Sequence, residues 1–216
     1  MVTAELQRNL ETVLARIRSA AGDRRVSVVA ATKTVAAETI NAVIDLGITA
    51  VGENRVQEYL SKRDAVKPVD WHFIGTLQRN KVKYLVGEVG LIQSVSSIGL
   101  AQEIDRIAEK RGVIQSVLVE VNAADEPNKT GAGTHEIDEL IATVKTLKHI
   151  RLKGLMSVPP VKADERVYRR LRDMYDKNAG GEFDTLSVGM SGDYERAIAF
   201  GSNMVRIGTA LFGARN

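Results

Sequence analysis

The stretch Val26–Thr34, VSVVAATKT, decides how the rest of the chain is interpreted. It is a short, nearly continuous apolar run, which is typical of a parallel strand buried on both faces. Lys33 follows this run directly, and two interpretations are open. Either the strand has ended and Lys33 extends to water, or Lys33 lies at the mouth of an α/β barrel, where such barrels carry their chemistry. In the second case its amine could form a Schiff base with a carbonyl ligand.

Strands alternate with helical segments along the rest of the chain. The predicted strands are Val26–Ala31, Thr49–Val51, Asp70–Ile74, Leu91–Ser94, Ser116–Val121, Leu152–Met156, Thr185–Val188 and Met204–Ile207. The predicted helices are Thr3–Ala20 with Thr3 as N-cap, Ala36–Leu46, Arg55–Ala65, Gln78–Val86, Ile98–Lys110, Glu136–Leu147, Asp164–Asn178 and Asp193–Phe200. Eight strands separated by helices predict a (β/α)8 TIM barrel with an additional N-terminal helix. A doubly wound open sheet is the alternative, because alternation alone does not distinguish the two.

Composition narrows the class of protein. The 216 residues contain no linker or compositional break, so we expect a single domain over 1–216. There is no cysteine, and His72, His135 and His149 lack metal-ligand spacing, so we expect no disulfide and no metal. The formal net charge is +3 with both signs interspersed, which favours a small anionic ligand over nucleic acid. No apolar run reaches membrane-span length, and we expect a cytoplasmic protein without a membrane partner.

Two loops rich in small residues follow the last two predicted strands. They are Ser187–Asp193, SVGMSGD, and Arg206–Thr209, RIGT. Small residues let backbone N–H groups approach an anion, and the loops after strands seven and eight are the recurrent phosphate site of barrels. Taken alone, the first loop is also consistent with a glycine turn and an N-cap from Ser191 or Asp193. Their ordinal positions favour the phosphate site.

Four further positions are candidates at the strand ends. Arg206 could pair with a barrel carboxylate, or its fixed charge could lie beside a heteroaromatic ring and discourage protonation of a ring nitrogen. Asn54 could shape a pocket, and Met156 ends the sixth strand. His72 is more often a hydrogen-bonded structural histidine than a catalyst. The long loop Asn122–Thr134 could be a lid or a surface excursion.

An ordered set of motifs resembles one known family. The matching stretches are Ala30–Thr34, Gly52–Glu58, His72–Gly75 with Leu77-Gln78 and Asn80-Lys81, Lys129–Gly131, Gly154–Met156, Ser187–Ser191, and Val205–Thr209 with Phe212-Gly213. Each is weak alone, but together they run in order over most of the chain. The sequence resembles the YggS/PROSC family, the pyridoxal phosphate homeostasis proteins, which look like the barrel domain of bacterial alanine racemase standing alone.

The resemblance implies a cofactor and a set of residues for it. Lys33 would hold pyridoxal 5′-phosphate (PLP) as an internal aldimine, the Ser187–Ser191 and Gly208–Thr209 loops would bind the phosphate, and Arg206 would face the pyridine nitrogen. The candidate cofactor-binding residues are Lys33, Asn54, His72, Met156, Ser187, Gly189, Met190, Ser191, Arg206, Gly208 and Thr209. Thr32, where serine is frequent, and Ser157–Pro160 depart from the family pattern, but neither removes a group that the cofactor needs.

The sequence favours a carrier over an enzyme. Amino-acid racemisation needs a second general acid or base, which racemases of this kind take as a tyrosine from an additional C-terminal domain. This chain ends shortly after its last predicted strand, and its tyrosines fall mainly on predicted helices. We therefore expect a monomer that reversibly holds PLP for vitamin B6 homeostasis, without robust catalysis, with apo forms of PLP-dependent enzymes as partners. The alternatives are a weak single-domain racemase acting through Lys33 and a phosphate-binding barrel without covalent cofactor.

Overall fold

The computed structural model describes residues 4–127 and 130–213. The strands are β1 Ser27–Ala31, β2 Ala50–Glu53, β3 Asp70–Phe73, β4 Leu91–Val95, β5 Gln115–Asn122, β6 Ala132–Gly133, β7 Ile150–Ser157, β8 Thr185–Val188 and β9 Met204–Ile207. The α-helices are α1 Ala4–Ala21, α2 Ala37–Asp45, α3 Val56–Lys62, α4 Ile98–Arg111, α5 Ile137–Thr146, α6 Glu165–Asn178, α7 Tyr194–Ala199 and α8 Thr209–Phe212. A 3₁₀ helix spans Arg79–Tyr84.

The strands close into a barrel. Neighbouring strands are parallel throughout, in the order β4-β3-β2-β1-β9-β8-β7-β5, and β4 also pairs with β5, which completes the ring. The two-residue strand β6 pairs only with the end of β5. Because the ring is closed, the open-sheet alternative is wrong and the eight-stranded (β/α)8 barrel is confirmed.

Most predicted elements are found within a few residues of their expected bounds. The segment predicted as a helix over 78–86 is a 3₁₀ helix, a form common in short connectors. The predicted helix over 55–65 ends at Lys62. The sequence analysis missed β6 and α8, whose two and four residues are too short to show a period. The expected N-cap Thr3 and the motif residue Lys129 lie outside the described residues.

The additional N-terminal helix is confirmed, and its apolar face explains its position. Leu6, Leu10, Val13 and Ile17 recur at helical spacing and are all buried. The helix packs against α7 and α8, which flank the last two strands. Among the described residues, no helix combines the length and hydropathy that a bilayer crossing requires.

The main apolar core lies between the strands and the surrounding helices, and a separate small apolar cluster contains Leu91, Leu118 and Met156. Several buried polar side chains lie beside this small cluster. The buried polar side chains His72, Gln93, Glu120, Ser187 and Arg206 belong to five different barrel strands. Val, Ile, Leu and Ala make up most of the buried apolar residues, as expected of a chain with few aromatic side chains. Hydrogen bonds satisfy the buried polar groups, since Gln93 bonds with His72 and Ser187, Ser187 with Arg206, and Glu120 with Thr130.

Candidate functional site

One cavity opens at the carboxyl ends of the barrel strands. Its volume is about 510 Å³. Its lining contains two basic side chains, three short polar ones and several small or apolar residues, namely Ala31, Lys33, Asn54, Ile74, Val158, Met190, Ser191, Gly192, Arg206, Gly208 and Thr209. Among the described residues, no carboxylate, histidine or tyrosine belongs to this lining. A cavity with a primary amine, a guanidinium and short hydroxyl side chains is suited to a small anionic ligand that bears a carbonyl group.

Lys33 lies in the turn that follows β1. Its side chain is partly exposed and makes no hydrogen bond or ion pair within the part of the chain that the structure describes. Thr32, immediately before it, is fully buried and donates from Oγ1 to Glu53 Oε1 at 2.8 Å. Thr34, immediately after it, has a φ of +63°. The amine is therefore free to react, whereas the backbone that carries it is tightly held.

The loop between β8 and α7 is built around Asp193. Its Oδ1 accepts the N–H of Met190 at 2.7 Å, and its Oδ2 accepts the hydroxyl of Tyr168 at 2.7 Å. Gly189 has a φ of +105°, and a Cβ at this position would lie 2.8 Å from the Cβ of Ala197. A side chain is therefore excluded on both conformational and steric grounds.

Ser191 joins this loop to the start of α8. Its Oγ accepts the N–H groups of Gly208 at 3.2 Å and Ala210 at 3.1 Å. Among the described residues, no acceptor is found for the N–H groups of Ser191, Gly192 and Thr209, all of which line the cavity. Converging N–H donors beside two hydroxyl groups are the donor set that binds phosphate in proteins.

Arg206 is buried, and its guanidinium crosses the barrel interior to bond with two other strands. Its Nη1 donates to Ser187 O and to Ser187 Oγ, both at 2.8 Å, and its Nη2 donates to Ser157 O at 2.8 Å. Burial lowers the pKa of Arg206 to about 10, although Glu120 and Asp193 act in the opposite direction. The guanidinium therefore stays charged at neutral pH and keeps a fixed orientation beside the cavity.

A chain of hydrogen bonds leads from Arg206 toward the opposite end of the barrel. Ser187 Oγ donates to Gln93 Oε1 at 2.7 Å, and Gln93 Nε2 lies 2.9 Å from His72 Nδ1. His72 Nε2 lies 3.0 Å from Asp70 Oδ2. When the Gln93 amide donates to Nδ1, the proton of His72 is on Nε2 and is directed at Asp70. His72 therefore supports Arg206 through two intermediate side chains.

The structure brings most of the predicted site residues together, but four lie outside the cavity lining. The residues that line it are Lys33, Asn54, Met190, Ser191, Arg206, Gly208 and Thr209. His72 and Ser187 lie deeper, in the hydrogen-bond chain described above. Met156 packs in the small apolar cluster, and Gly189 supports the loop from behind. These four are arranged to support the site rather than to touch a ligand in the cavity.

A second cavity lies at the other end of the barrel, beneath α1. Its volume is about 430 Å³, and Asp70, His72 and Met204 are part of its lining. Within residues 4–127 and 130–213, no lysine or arginine contributes to this lining. The second cavity therefore lacks both the amine and the fixed positive charge that an anionic carbonyl ligand requires, and we assign the site to the first cavity.

The sequence analysis missed the buried polar side chains that support the site. Gln93 follows two apolar residues in β4, and Glu120 interrupts the apolar run over 117–121 in β5; these interruptions were the available signal. Their role depends on which side chains meet inside the ring, and spacing along one strand does not show this.

Glu120 is buried in the barrel interior, and this predicts an unusual pH dependence of stability. Burial raises the pKa of Glu120 above its ordinary value, although the Thr130 hydroxyl and the charge of Arg206 oppose the shift. Between the unfolded-state and folded-state pKa, the folded chain binds more protons, so this group makes stability fall as pH rises. We expect Glu120→Gln to remove this contribution, which is at most about 1.4 kcal/mol per pH unit.

The measurement is the free energy of unfolding in urea between pH 4.5 and 8, for the parent chain and for Glu120→Gln. Glutamine retains an oxygen that can accept from Thr130, so the comparison isolates the charge. The variant should gain stability relative to the parent as pH increases. Parallel pH profiles for the two proteins would contradict the account of Glu120.

Comparisons with known proteins agree with the geometry. The family model described as "Alanine racemase, N-terminal domain" matches residues 3–216. A "Pyridoxal phosphate homeostasis protein" of Aquifex aeolicus is 42% identical, covering 95% of this chain and 96% of the relative. The protein of that name from Escherichia coli K12 is 36% identical, with 98% and 97% covered.

Solved structures show the same fold. PipY of Synechococcus elongatus, solved with PLP bound, has a TM-score of 0.84 and 26% identity, covering 96% of this chain and all of PipY. Alanine racemase of Clostridium difficile has a TM-score of 0.80 at 17% identity and covers 100% of this chain but 61% of the racemase, so it shows the fold alone. The chain therefore belongs to the YggS/PROSC family of pyridoxal phosphate homeostasis proteins, which is built on the alanine racemase N-terminal domain.

Proposed function

We propose that this protein binds PLP reversibly through a Schiff base with Lys33 and holds the cofactor for vitamin B6 homeostasis in the cytoplasm. The observation that carries the proposal is the cavity lining, which combines the unpaired Lys33 amine with a phosphate-type donor set. The bound PLP in the PipY structure and the name of the curated relatives support the choice of ligand. The domain covering 1–216 would act as one monomeric unit.

Different residues of the cavity lining would have different roles in binding PLP. Lys33 condenses its neutral amine with the aldehyde, water leaves, and the C=N bond holds the cofactor until water reverses the reaction. The free N–H groups of Ser191, Gly192 and Thr209 would bind the phosphate, and Gly208 would be held beside them by the Ser191 hydroxyl. Arg206 keeps its proton and would leave the ring nitrogen unprotonated. Asn54 and Met190 would form the cavity walls.

Two features support storage rather than catalysis. The part of the cavity lining that the structure describes provides no carboxylate, histidine or tyrosine to act as a second acid or base. The buried Arg206 guanidinium would make the ring a weaker electron sink than a protonated ring nitrogen would allow. Tyr168 and Tyr194 line a neighbouring cavity on the far side of the Ser191–Gly192 loop. We therefore favour a carrier over a weak single-domain racemase.

A paired experiment distinguishes these functions. The PLP-loaded protein is mixed with an apo PLP-dependent aminotransferase, and the return of aminotransferase activity is compared with that from free PLP at equal concentration. The same loaded protein is incubated with alanine in deuterated water, and exchange at the α-carbon is followed by NMR. We expect activity to return and α-proton exchange to stay at the rate of free PLP. Exchange that is faster than with free PLP and is lost in Lys33→Ala would favour the racemase.

A further inference from the structure

The turn that carries Lys33 has an unusual backbone conformation. Thr34 adopts a φ of +63°, in the left-handed region that β-branched residues rarely enter. Such a conformation persists only where the surrounding structure holds it. The groups that hold this turn therefore also determine where the Lys33 amine points.

Two side chains of α3 hold the peptide groups on either side of Lys33. Lys62 Nζ donates to the carbonyl oxygen of Thr32 at 3.0 Å. Glu58 Oε2 accepts the N–H of Thr34 at 2.7 Å. Lys62 and Glu58 also contact each other at 3.3 Å, four residues apart on the helix. The turn is thus fixed at both ends by one ion pair.

A buried carboxylate completes this cluster. Lys62 Nζ lies 2.7 Å from Glu53 Oε1, and the two side chains are 13% and 1% exposed. Burial raises the pKa of Glu53, although Lys62 and Thr32 oppose the rise. Burial also acts to raise the pKa of Glu58, but the bonds from Thr34 and Lys62 bring it below the ordinary value. Lys62 is the cation that both carboxylates share.

We propose that Lys62 is a positioning residue, which holds the turn around Lys33 and occupies Glu53 and Glu58 so that the Lys33 amine stays free in the cavity. Without Lys62, Glu53 loses its ion-pair partner and Glu58 keeps only the charge of Arg55, with which it forms no ion pair. Both carboxylates contact the turn that carries Lys33. A Lys33 side chain that pairs with one of these carboxylates is no longer directed into the cavity and cannot attack an aldehyde there. The inference rests on the proposed function, in which Lys33 is the group that captures the cofactor.

Lys62→Met and Lys62→Arg test the role, and Lys67→Met is the matched control. Methionine keeps an unbranched apolar stem but removes the cation, whereas arginine keeps a cation and several N–H donors. Lys67 pairs with Asp45 on the surface, away from the cavity. The first readout is the rate at which PLP forms its absorbance band. The second uses no cofactor and follows reductive methylation of Lys33 relative to exposed Lys110 by mass spectrometry.

We expect Lys62→Met to slow band formation about tenfold, the loss that corresponds to one charge-assisted hydrogen bond. Methylation of Lys33 relative to Lys110 should fall about threefold or more in the same variant. Lys62→Arg should recover most of both rates, and Lys67→Met should match the parent. Unchanged rates in Lys62→Met, or equal losses in the methionine and arginine variants, would overturn the proposal.

A variant that does not fold and a parent that does not bind PLP each need a separate test. If Lys62→Met does not fold, Glu58→Ala is the second test, because it removes the acceptor of the Thr34 N–H at a partly exposed position. We expect the PLP absorbance band to form about threefold more slowly in this variant. Normal rates in Glu58→Ala would then overturn the proposal. If the parent chain forms no band, the proposed function fails, while Lys33 methylation without cofactor still reports on the turn. If the parent traps PLP on Lys33 and the Lys62→Met variant shows unchanged rates, only the positioning role is refuted.

Discussion

Replacing Arg206 by methionine is expected to destabilise the fold by about 3–5 kcal/mol, the range for removing one partner of a buried charged network. The variant leaves the carbonyl oxygens of Ser187 and Ser157 without their Arg206 donor, and it removes the positive charge that opposes the pKa rise of Glu120. Methionine fills much of the volume but donates no hydrogen bond. The loss of stability should therefore exceed that of a buried substitution that merely conserves side-chain volume.

Urea unfolding at pH 7 measures this effect, and Arg151→Met provides the control. Arg151 lies on β7 and pairs with Glu182 on the surface, so its loss should stay within about 0.5 kcal/mol. Both variants should retain the parent dependence of the free energy on urea if they fold to the same structure. A loss below about 1 kcal/mol for Arg206→Met would show that the interior network does not depend on the guanidinium.

Lys33→Ala is expected to abolish the covalent link to PLP and to leave the fold nearly unchanged. Affinity should fall on the order of 100-fold, which corresponds to about 2.7 kcal/mol. The free energy of unfolding without cofactor should change by less than about 1 kcal/mol, because Lys33 has no hydrogen-bonding partner in the described ranges. This pattern, lost binding with retained stability, is the opposite of the one expected for Arg206→Met.

Equilibrium dialysis against PLP measures the affinity, with Lys67→Ala as the matched lysine control. Lys67 is half-exposed and pairs only with groups outside the site. Its removal should leave PLP binding unchanged. An affinity of Lys33→Ala within threefold of the parent would show that another group captures the cofactor.

The cavity lining could be predicted from the sequence to a large extent. Lys33, Asn54 and Arg206 follow or end apolar strands, and the barrel architecture places such positions at one mouth. Ser191 and Gly208 belong to glycine-containing loops whose ordinal positions indicated an anion site. The sequence alone indicates the order in which strands occur along the chain and the residues at which they end. These lining residues could therefore be predicted without knowing how side chains pack.

The supporting groups could not be predicted in the same way. Gln93 meets Ser187 across the barrel, and these residues are far apart in sequence. The positive φ of Thr34 has no sequence signal, because a β-branched residue argues against it. Lys62 reaches the turn only because α3 packs over the ends of β1 and β2. Such contacts depend on tertiary packing, which overrides local preference.

Reductive trapping with peptide mapping tests the central claim most directly. The parent protein is mixed with PLP, reduced with borohydride and digested, and the modified peptide is identified by mass spectrometry. We expect a single reduced adduct on Lys33, within the peptide that spans the end of β1 and the following turn. An adduct on another lysine, or none in a protein that nevertheless retains PLP, would contradict the assignment of Lys33 as the residue that holds the cofactor.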